Sequence, residues 1–405
     1  MVTRWIIGLA AGPSLESLDA VLLEVGGLGF DLQARVAAWL AEPHPRELRE
    51  LLVKVSTPGQ ADVRAVSLAH RVLGEAFGLA ARRLADQASV SLQQVLCAGC
   101  AGCIAWHEGD GRYPSTLALG SAAVVAERTG LTTIADFRAR DLACGGQGTP
   151  TGALADFLLF RDPRESRVVL HLGGIVQATT LPAGDDPRAV AGWELGPGNV
   201  LLDTLIQQAS GGKERFDAGG KQAVQGRQIP ELLGRWAHHP FLLRRPPKSL
   251  HRTVFAEEFA RQTVLLAQQN NWGFHDLLCT ATHFVARAAG EGLKRSLPRT
   301  DTPQRIILTG GGVRNGLLWR LLEEQLAGVP LEKSDALGMP AEARDATHAA
   351  LLACLTLDGL PGNAPAATGA SGPRLLGALT PGSPSNWLRC LAWMTGQHEE
   401  FEDED

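Results

Sequence analysis

A duplicated α/β protein of two domains is what the sequence predicts, on three observations. The chain has 405 residues, too many for one compact core. Near residue 5, RWIIGLAAG reads as a buried strand ending in glycine, and a second apolar strand, AVLLEV, follows the polar stretch PSLESLD. Near residue 168, SRVVLHLGGIVQATTL repeats that theme of strand, glycine turn and strand, with helices and single strands after each copy. A cleft between the two halves is expected.

From about Ala61 to Gln94 the chain is helical in character. LAHRVLGEAFGLAARRLADQ places apolar residues at three- and four-residue intervals with arginines and acids between them. VLCAGCAGCIAW reads as a strand, a loop and a second strand, GSAAVVAERTG as a helix ended by Gly130, and TTIADF as a strand leading into RARDLACGGQGTP. The domain boundary falls near LFRDPRES, where proline and charge interrupt the apolar pattern. Residues 1–163 and 164–396 are the expected domains, and 397–405 an acidic tail. In the second half QRIILTGGGVRNGLLWRLLEEQL gives a strand, three glycines and a helix, and a helix around EARDATHAALLACLTLDG closes the folded part.

Composition bounds the function. The chain is 45% hydrophobic and 20% charged with a net charge of −5, and its basic residues are spread out. Nucleic acid is excluded as a partner, because binding a phosphate backbone needs a concentrated basic surface. The start, MVTRWIIGLAAG, does not read as a secretory signal, and no apolar stretch approaches membrane-spanning length. Seven cysteines are an odd, sparse set rather than a secreted disulfide framework. A cytoplasmic protein is expected.

Three glycine turns follow buried strands: Gly12 to Ser14, Gly173-Gly174 and Gly310 to Gly312. Without a Cβ, such turns let backbone N–H groups approach a phosphate. The last is expected to lead directly into a helix whose N-terminus favours negative charge. No G-x-x-x-x-G-K-S/T occurs, which disfavours a P-loop enzyme. In GWELGPGNVLLD, Pro197 and Gly198 make a sharp turn and Asn199 is expected to cap a helix. Glu194, on the residues alone, reads as an exposed loop acid, with projection into a cleft as the alternative.

Cys97, Cys100 and Cys103 stand at three-residue spacing. A zinc or four-iron four-sulfur site, with Cys144 as a distant fourth ligand, is one reading, but the adjacent fourth Cys-Pro of a ferredoxin run is missing. Buried thiols acting as small hydrophobes are the favoured one, with no metal assigned.

ADFRARDLACGGQGTP, LHLGGI, GWELGPGNVLLD, PPKS, LTGGGVRN and LDGLPGNAPAATGA occur in that order from about Ile6 to Ala370. In this the chain resembles the anhydro-N-acetylmuramic acid kinases. The resemblance implies two RNase H-like domains of the actin, Hsp70 and sugar kinase superfamily, and ATP with Mg2+. It implies an amino sugar whose 1,6-anhydro bridge is opened with water while O6 is phosphorylated, in cell-wall sugar recycling. It leaves a homodimer open. Position by position, it puts the general base at Glu194 and the first phosphate hairpin at Gly12, Pro13, Ser14, Leu15, Glu16, Ser17, Leu18 and Asp19. The other two ATP turns fall at Gly173, Gly174 and at Gly310, Gly311, Gly312. Asp136, Arg138 and Asp345 fall on the sugar side.

The chain departs from that pattern at chemical positions. Pro13 replaces a threonine, Glu16 an aspartate and Ser17 a glycine. Gln177 replaces an asparagine, Glu194 an aspartate and Asp345 a glutamate. Where the family carries Gly, Ser or Thr, His, Gly, Gln and Thr in a polar, sugar-facing loop, this chain has Gly99, Cys100, Ala101, Gly102, Cys103 and Ile104. Two readings follow: an active kinase with a reshaped pocket, or a pseudokinase that keeps the fold and binds nucleotide, sugar or a partner protein.

Overall fold

The computed structural model describes residues 3–12, 14–297 and 302–396, so Pro13 and the acidic tail lie outside the described residues. The chain forms two compact units. Of the described residues, one comprises those up to Arg161, Asp186–Ala191 and those from Ala343 to 396; the other comprises those within Asp162–Asp185 and Gly192–Glu342.

In the first unit β1 (Thr3–Ala11) pairs antiparallel with β2 (Ser17–Gly26), and β2 with β3 (Gln33–Pro43). On its other edge β1 runs parallel to β4 (Val95–Glu108), whose far end folds back antiparallel to β5 (Ser115–Leu119). Beyond β4 lies β6 (Thr132–Ala135), parallel to it.

The second unit repeats the plan. Its β7 (Arg167–Leu172) and β8 (Ile175–Leu181) form an antiparallel hairpin, with β9 (Ala191–Pro197) beside β8. On the other edge of β7 lie β10 (Arg305–Thr309) and β11 (Leu331–Lys333), both parallel. A last short strand, β12 (Ala378–Thr380), pairs antiparallel with β6 in the first sheet. Each sheet thus has a meander on one side of its first strand and two parallel strands on the other. The duplicated α/β fold of RNase H-like type is present.

The chain passes from the first unit to the second at Arg161/Asp162, and from Ala343 it packs with the first unit again. The physical reason is local. A Cβ on Gly8 of β1 would lie 1.9 Å from the Ala346 carbonyl oxygen, and one on Gly99 of β4 would lie 2.0 Å from that of Ala349. Those glycines admit the backbone of helix Arg344–Leu357, which presents the buried alanines Ala346, Ala349, Ala350 and Ala353. The opposite face of the sheet covers Leu73, Phe77, Ala80 and Leu84 of helix Val63–Gln87.

The cysteine run is not a loop. Val95 to Glu108 is one continuous strand with Cys97, Cys100 and Cys103 all buried. Gly102, at φ +69°, sits at a register shift between β1 and β4, and the bulge changes which side chains share a face. Ala98, Cys100, Cys103 and Ala105 belong to the Phe77 core, whereas Cys97 faces the other way, toward Arg4, Cys354 and Cys390. The three thiols therefore point to two sides of a sheet and cannot ligate one ion. Burial pushes the Cys97 thiol well up and that of Cys100 to about 12, so both are protonated at neutral pH.

Candidate active site

Two of the predicted glycine turns meet at one end of the second sheet, at the carboxyl ends of the parallel strands β7 and β10. That end is where ligands of parallel sheets bind. The turn after β7 holds Gly173 and Gly174, and the turn after β10 holds Gly310 to Gly312. Gly310 adopts φ +84°, and a Cβ there would lie 2.8 Å from the Leu172 carbonyl, so glycine is required for the approach. His171 and Thr309, at the strand ends, share a side-chain hydrogen bond of 3.1 Å.

A third segment joins them. The carbonyls of Gly173 and Gly174 accept N–H groups of Asn199, Gly198 and Val200 at 2.9–3.2 Å. The β7–β8 turn thereby satisfies backbone donors at the start of helix Asn199–Ser210. The cap residue is Gly198 and not Asn199, which is the first helical residue; the Asn199 amide instead donates to the Leu172 carbonyl at 3.3 Å. Gly310 to Gly312 also differ from expectation. They enter a single 3-10 turn, Gly311–Arg314, before helix Gly316–Gln325, whose own cap is the Asn315 side chain.

Glu194 is not an exposed loop acid. It lies in β9 at 2% exposure. A buried carboxylate needs donors, and they are present. Gln177 on β8 donates its amide to Oε1 at 3.1 Å, and the Leu250 backbone N–H donates to Oε2. Lys248, two residues earlier in PPKSL, is buried at 3% exposure. Its ammonium donates to the Phe241 carbonyl at 3.2 Å and stands over that ring. Burial brings the Lys248 pKa down to about 8, with Arg295 and Arg244 adding to the shift and Glu194 opposing it. PPKS stood out in the sequence, but nothing local connected it to Glu194.

In the first unit the turn between β1 and β2 carries the predicted phosphate hairpin. Gly12 has open space where a Cβ would be. Leu15, at φ +59°, and Leu18 are core residues, so only their backbone is available to a ligand. Glu16 is held by Arg49 at 2.6 Å. Ser14, Ser17 and Asp19 are half-buried.

The sugar-side candidates lie in the same unit. Asp136 is exposed, adopts φ +60° and accepts the Ala139 N–H at 3.4 Å; Arg138 is half-buried. Behind them Asp141 is fully buried and accepts from Gly148 N–H, Asn363 Nδ2 and Thr368 Oγ1, each at 2.8 Å. One carboxylate thus ties RARD, GGQG and LPGNAPAATG together.

Asp345 opens helix Arg344–Leu357 and is partly exposed, 3.6 Å from Arg344. Arg344 donates to Asp156 at 3.1 and 2.6 Å, and His348 Nε2 lies 2.9 Å from the same carboxylate. Burial works to raise the Asp156 pKa, but Arg344 and His348 overcome it and hold the carboxyl well below the usual range.

Among the described residues no three His, Cys, Asp or Glu side chains converge as a metal site requires, and no helix is long and apolar enough to cross a membrane.

Comparisons with known proteins agree with the motif order. The anhydro-N-acetylmuramic acid kinase of Gloeobacter violaceus is 37% identical over 377 residues, covering 93% of this chain and 98% of that protein. The kinase of the same name from Acaryochloris marina is 34% identical, covering 92% and 99%. Among solved structures, a ROK family glucokinase from Streptomyces griseus in complex with glucose and AMPPNP superposes with a TM-score of 0.39. It is 12% identical and covers 86% of this chain and 98% of that one, a likeness too slight to carry an argument. The sequence model of the family described as anhydro-N-acetylmuramic acid kinase spans residues 4–382. With the motifs in order and relatives matched nearly end to end, this chain belongs to the anhydro-N-acetylmuramic acid kinase family.

Proposed function

We propose that the protein phosphorylates anhydro-N-acetylmuramic acid at O6 with MgATP while water opens the 1,6-anhydro bridge, and that Glu194 is the general base. The supporting observation is the Glu194 carboxylate itself, buried on β9 and held at both oxygens by Gln177 and the Leu250 N–H. Glu194 takes a proton from water as the water oxygen bonds to C1. The C1–O6 bond breaks, and O6 accepts the γ-phosphoryl group, releasing ADP. Proton removal by a placed base contributes roughly 100- to 10,000-fold.

Gly173, Gly174 and Gly310 to Gly312 are assigned to the nucleotide, together with the backbone of the Gly12–Asp19 hairpin. Glu16 of that hairpin is engaged by Arg49, and Asp19 is assigned with the rest of the hairpin to MgATP. Asp136, Arg138 and Asp345 are assigned to the sugar. The protein is expected to act in the cytoplasm.

A second reading, a pseudokinase that binds without turnover, is favoured by one observation. Cys100 and Cys103, where the family carries polar groups, are buried in the Phe77 core. One experiment separates the two. The pure protein is incubated with MgATP and the anhydro sugar, and the 6-phosphate product is sought by mass spectrometry. Product that disappears in Glu194→Ala supports the kinase; nucleotide binding with no product supports the pseudokinase.

A further inference from the structure

The Glu194 carboxylate accepts from a backbone donor and from a side-chain donor. The Leu250 N–H comes from backbone. The other donor, the Gln177 amide, comes from β8, where Gln177 stands opposite His171 of β7. A glutamate carboxylate turns readily about its last bond, because that torsion is broad, so a donor on each oxygen is what sets its plane. At both positions the resemblance expects a side chain one methylene shorter, asparagine and aspartate. In this chain the two lengthened residues are the two partners of one hydrogen bond.

We propose, resting on the reading of Glu194 as base, that Gln177 is its positioning residue. The pair acts as one unit: the amide fixes the plane and reach of the carboxylate, and neither partner can be shortened alone without opening the bond. Lys248 is the charged neighbour of Glu194, with Arg244 and Arg295 beside Lys248. With its pKa lowered to about 8, Lys248 is still a cation below pH 7 and acts equally on wild type and variants there.

The test compares Gln177→Leu, Gln177→Asn, Glu194→Asp and the Gln177→Asn/Glu194→Asp double variant. Gln177→Leu is expected to lower kcat about tenfold or more, as displacing a reacting group does, with KM for sugar and ATP little changed. The acidic limb of its kcat profile should move to higher pH, because a hydrogen bond that favoured the ionised carboxylate is gone. In a Glu194→Ala background Gln177→Leu should cost nothing more, and the double variant should not show the product of the two single losses. If Gln177→Leu does not fold, Gln177→Asn takes its place.

A raised KM at unchanged kcat, an unmoved acidic limb or a further loss in the Glu194→Ala background would overturn the proposal. A second measurement needs no turnover: the carboxyl-carbon NMR titration of Glu194, assigned by difference from Glu194→Gln. Its midpoint should rise in Gln177→Leu, and an unchanged midpoint also overturns the proposal. If wild type makes no product, or Glu194→Ala still turns over, the functional reading falls while this titration still decides the role of Gln177.

Discussion

Arg4, on the first strand, and Asp358, just beyond helix Arg344–Leu357, form a buried two-pronged ion pair across nearly the whole chain. Their two hydrogen bonds are 2.5 and 2.7 Å long. The Trp393 indole N–H and the Gly29 N–H also donate to Asp358, and the Arg4 guanidinium lies 4.3 Å over the Trp393 ring. Removing one partner of such a pair leaves an uncompensated buried charge, at about 3–5 kcal/mol. Arg4→Met is therefore expected to lower unfolding free energy by that amount in urea titration. Arg4→Met combined with Asp358→Leu should recover part of the loss, and an additive double variant would refute the pairing.

Acid stability follows from the same kind of group. Asp358 and Asp156 both have pKa values lowered in the folded protein, against burial, by Arg4 and by Arg344 with His348 respectively. A carboxylate depressed on folding stabilises fully above its unfolded pKa of about 3.9, and the contribution is lost as pH falls through the folded value. His348 has the same sign from about pH 6.5 downward, since burial lowers its pKa and only the unfolded chain takes up the proton. The urea midpoint should fall from pH 6.5 and more steeply below pH 4. Arg344→Met/Asp156→Leu should flatten the lower part; equal slopes in both proteins would count against the assignment.

The close approach of helix Arg344–Leu357 gives a sharp comparison between two glycines. Gly99→Ala places a methyl 2.0 Å from the Ala349 oxygen, an overlap costing about 1–3 kcal/mol or more. Gly234, inside helix Pro230–Ala237, has nothing within 4 Å of a built Cβ. Gly234→Ala should stabilise by about 0.5–1 kcal/mol, the helix propensity difference. Thermal melts of the two variants are expected to move in opposite directions.

Thiol chemistry should sort the cysteines by burial. Cys97, Cys100, Cys103, Cys354 and Cys390 are buried, while Cys144 is half-buried. In the native protein at neutral pH, iodoacetamide followed by peptide mass spectrometry should label Cys144 first and leave Cys97, Cys100 and Cys354 unmodified until denaturant is added. Rapid labelling of Cys97 or Cys100 would show that β4 is not the closed strand described above.

What was legible in the sequence was local and periodic. The two hairpins, the glycine turns and the long helix around Phe77 showed themselves by apolar runs, breakers and spacing. The cysteine run misled because a strand is recognised by a period of two, and the bulge at Gly102 breaks that period within it. Glu194 misled because a carboxylate between two turn signals has the look of surface. Its burial depends on Gln177 and Leu250, which are 17 and 56 residues away. Asp141 stood inside a quoted motif, yet its role as a shared acceptor required Asn363 and Thr368, more than 200 residues on. The helix of Arg344 was foreseen, but not the sheet it covers, since small alanines and glycines do not announce their partners. The family motifs singled out Glu194 where local pattern read a surface acid, because they carry long-range information that no window of one sequence holds.

The placement of that helix has a consequence for synthesis on the ribosome. Gly8 and Gly99 emerge early, but the helix that fills the surface above them is translated about 250 residues after Gly99, roughly 12–50 s later at about 5–20 residues per second. Throughout that interval the nascent first sheet carries an uncovered apolar face, the kind of surface that chaperones hold and aggregates grow from. A chain interrupted before Ala343 would lose more than a C-terminal segment, for it would release a first unit that never closes.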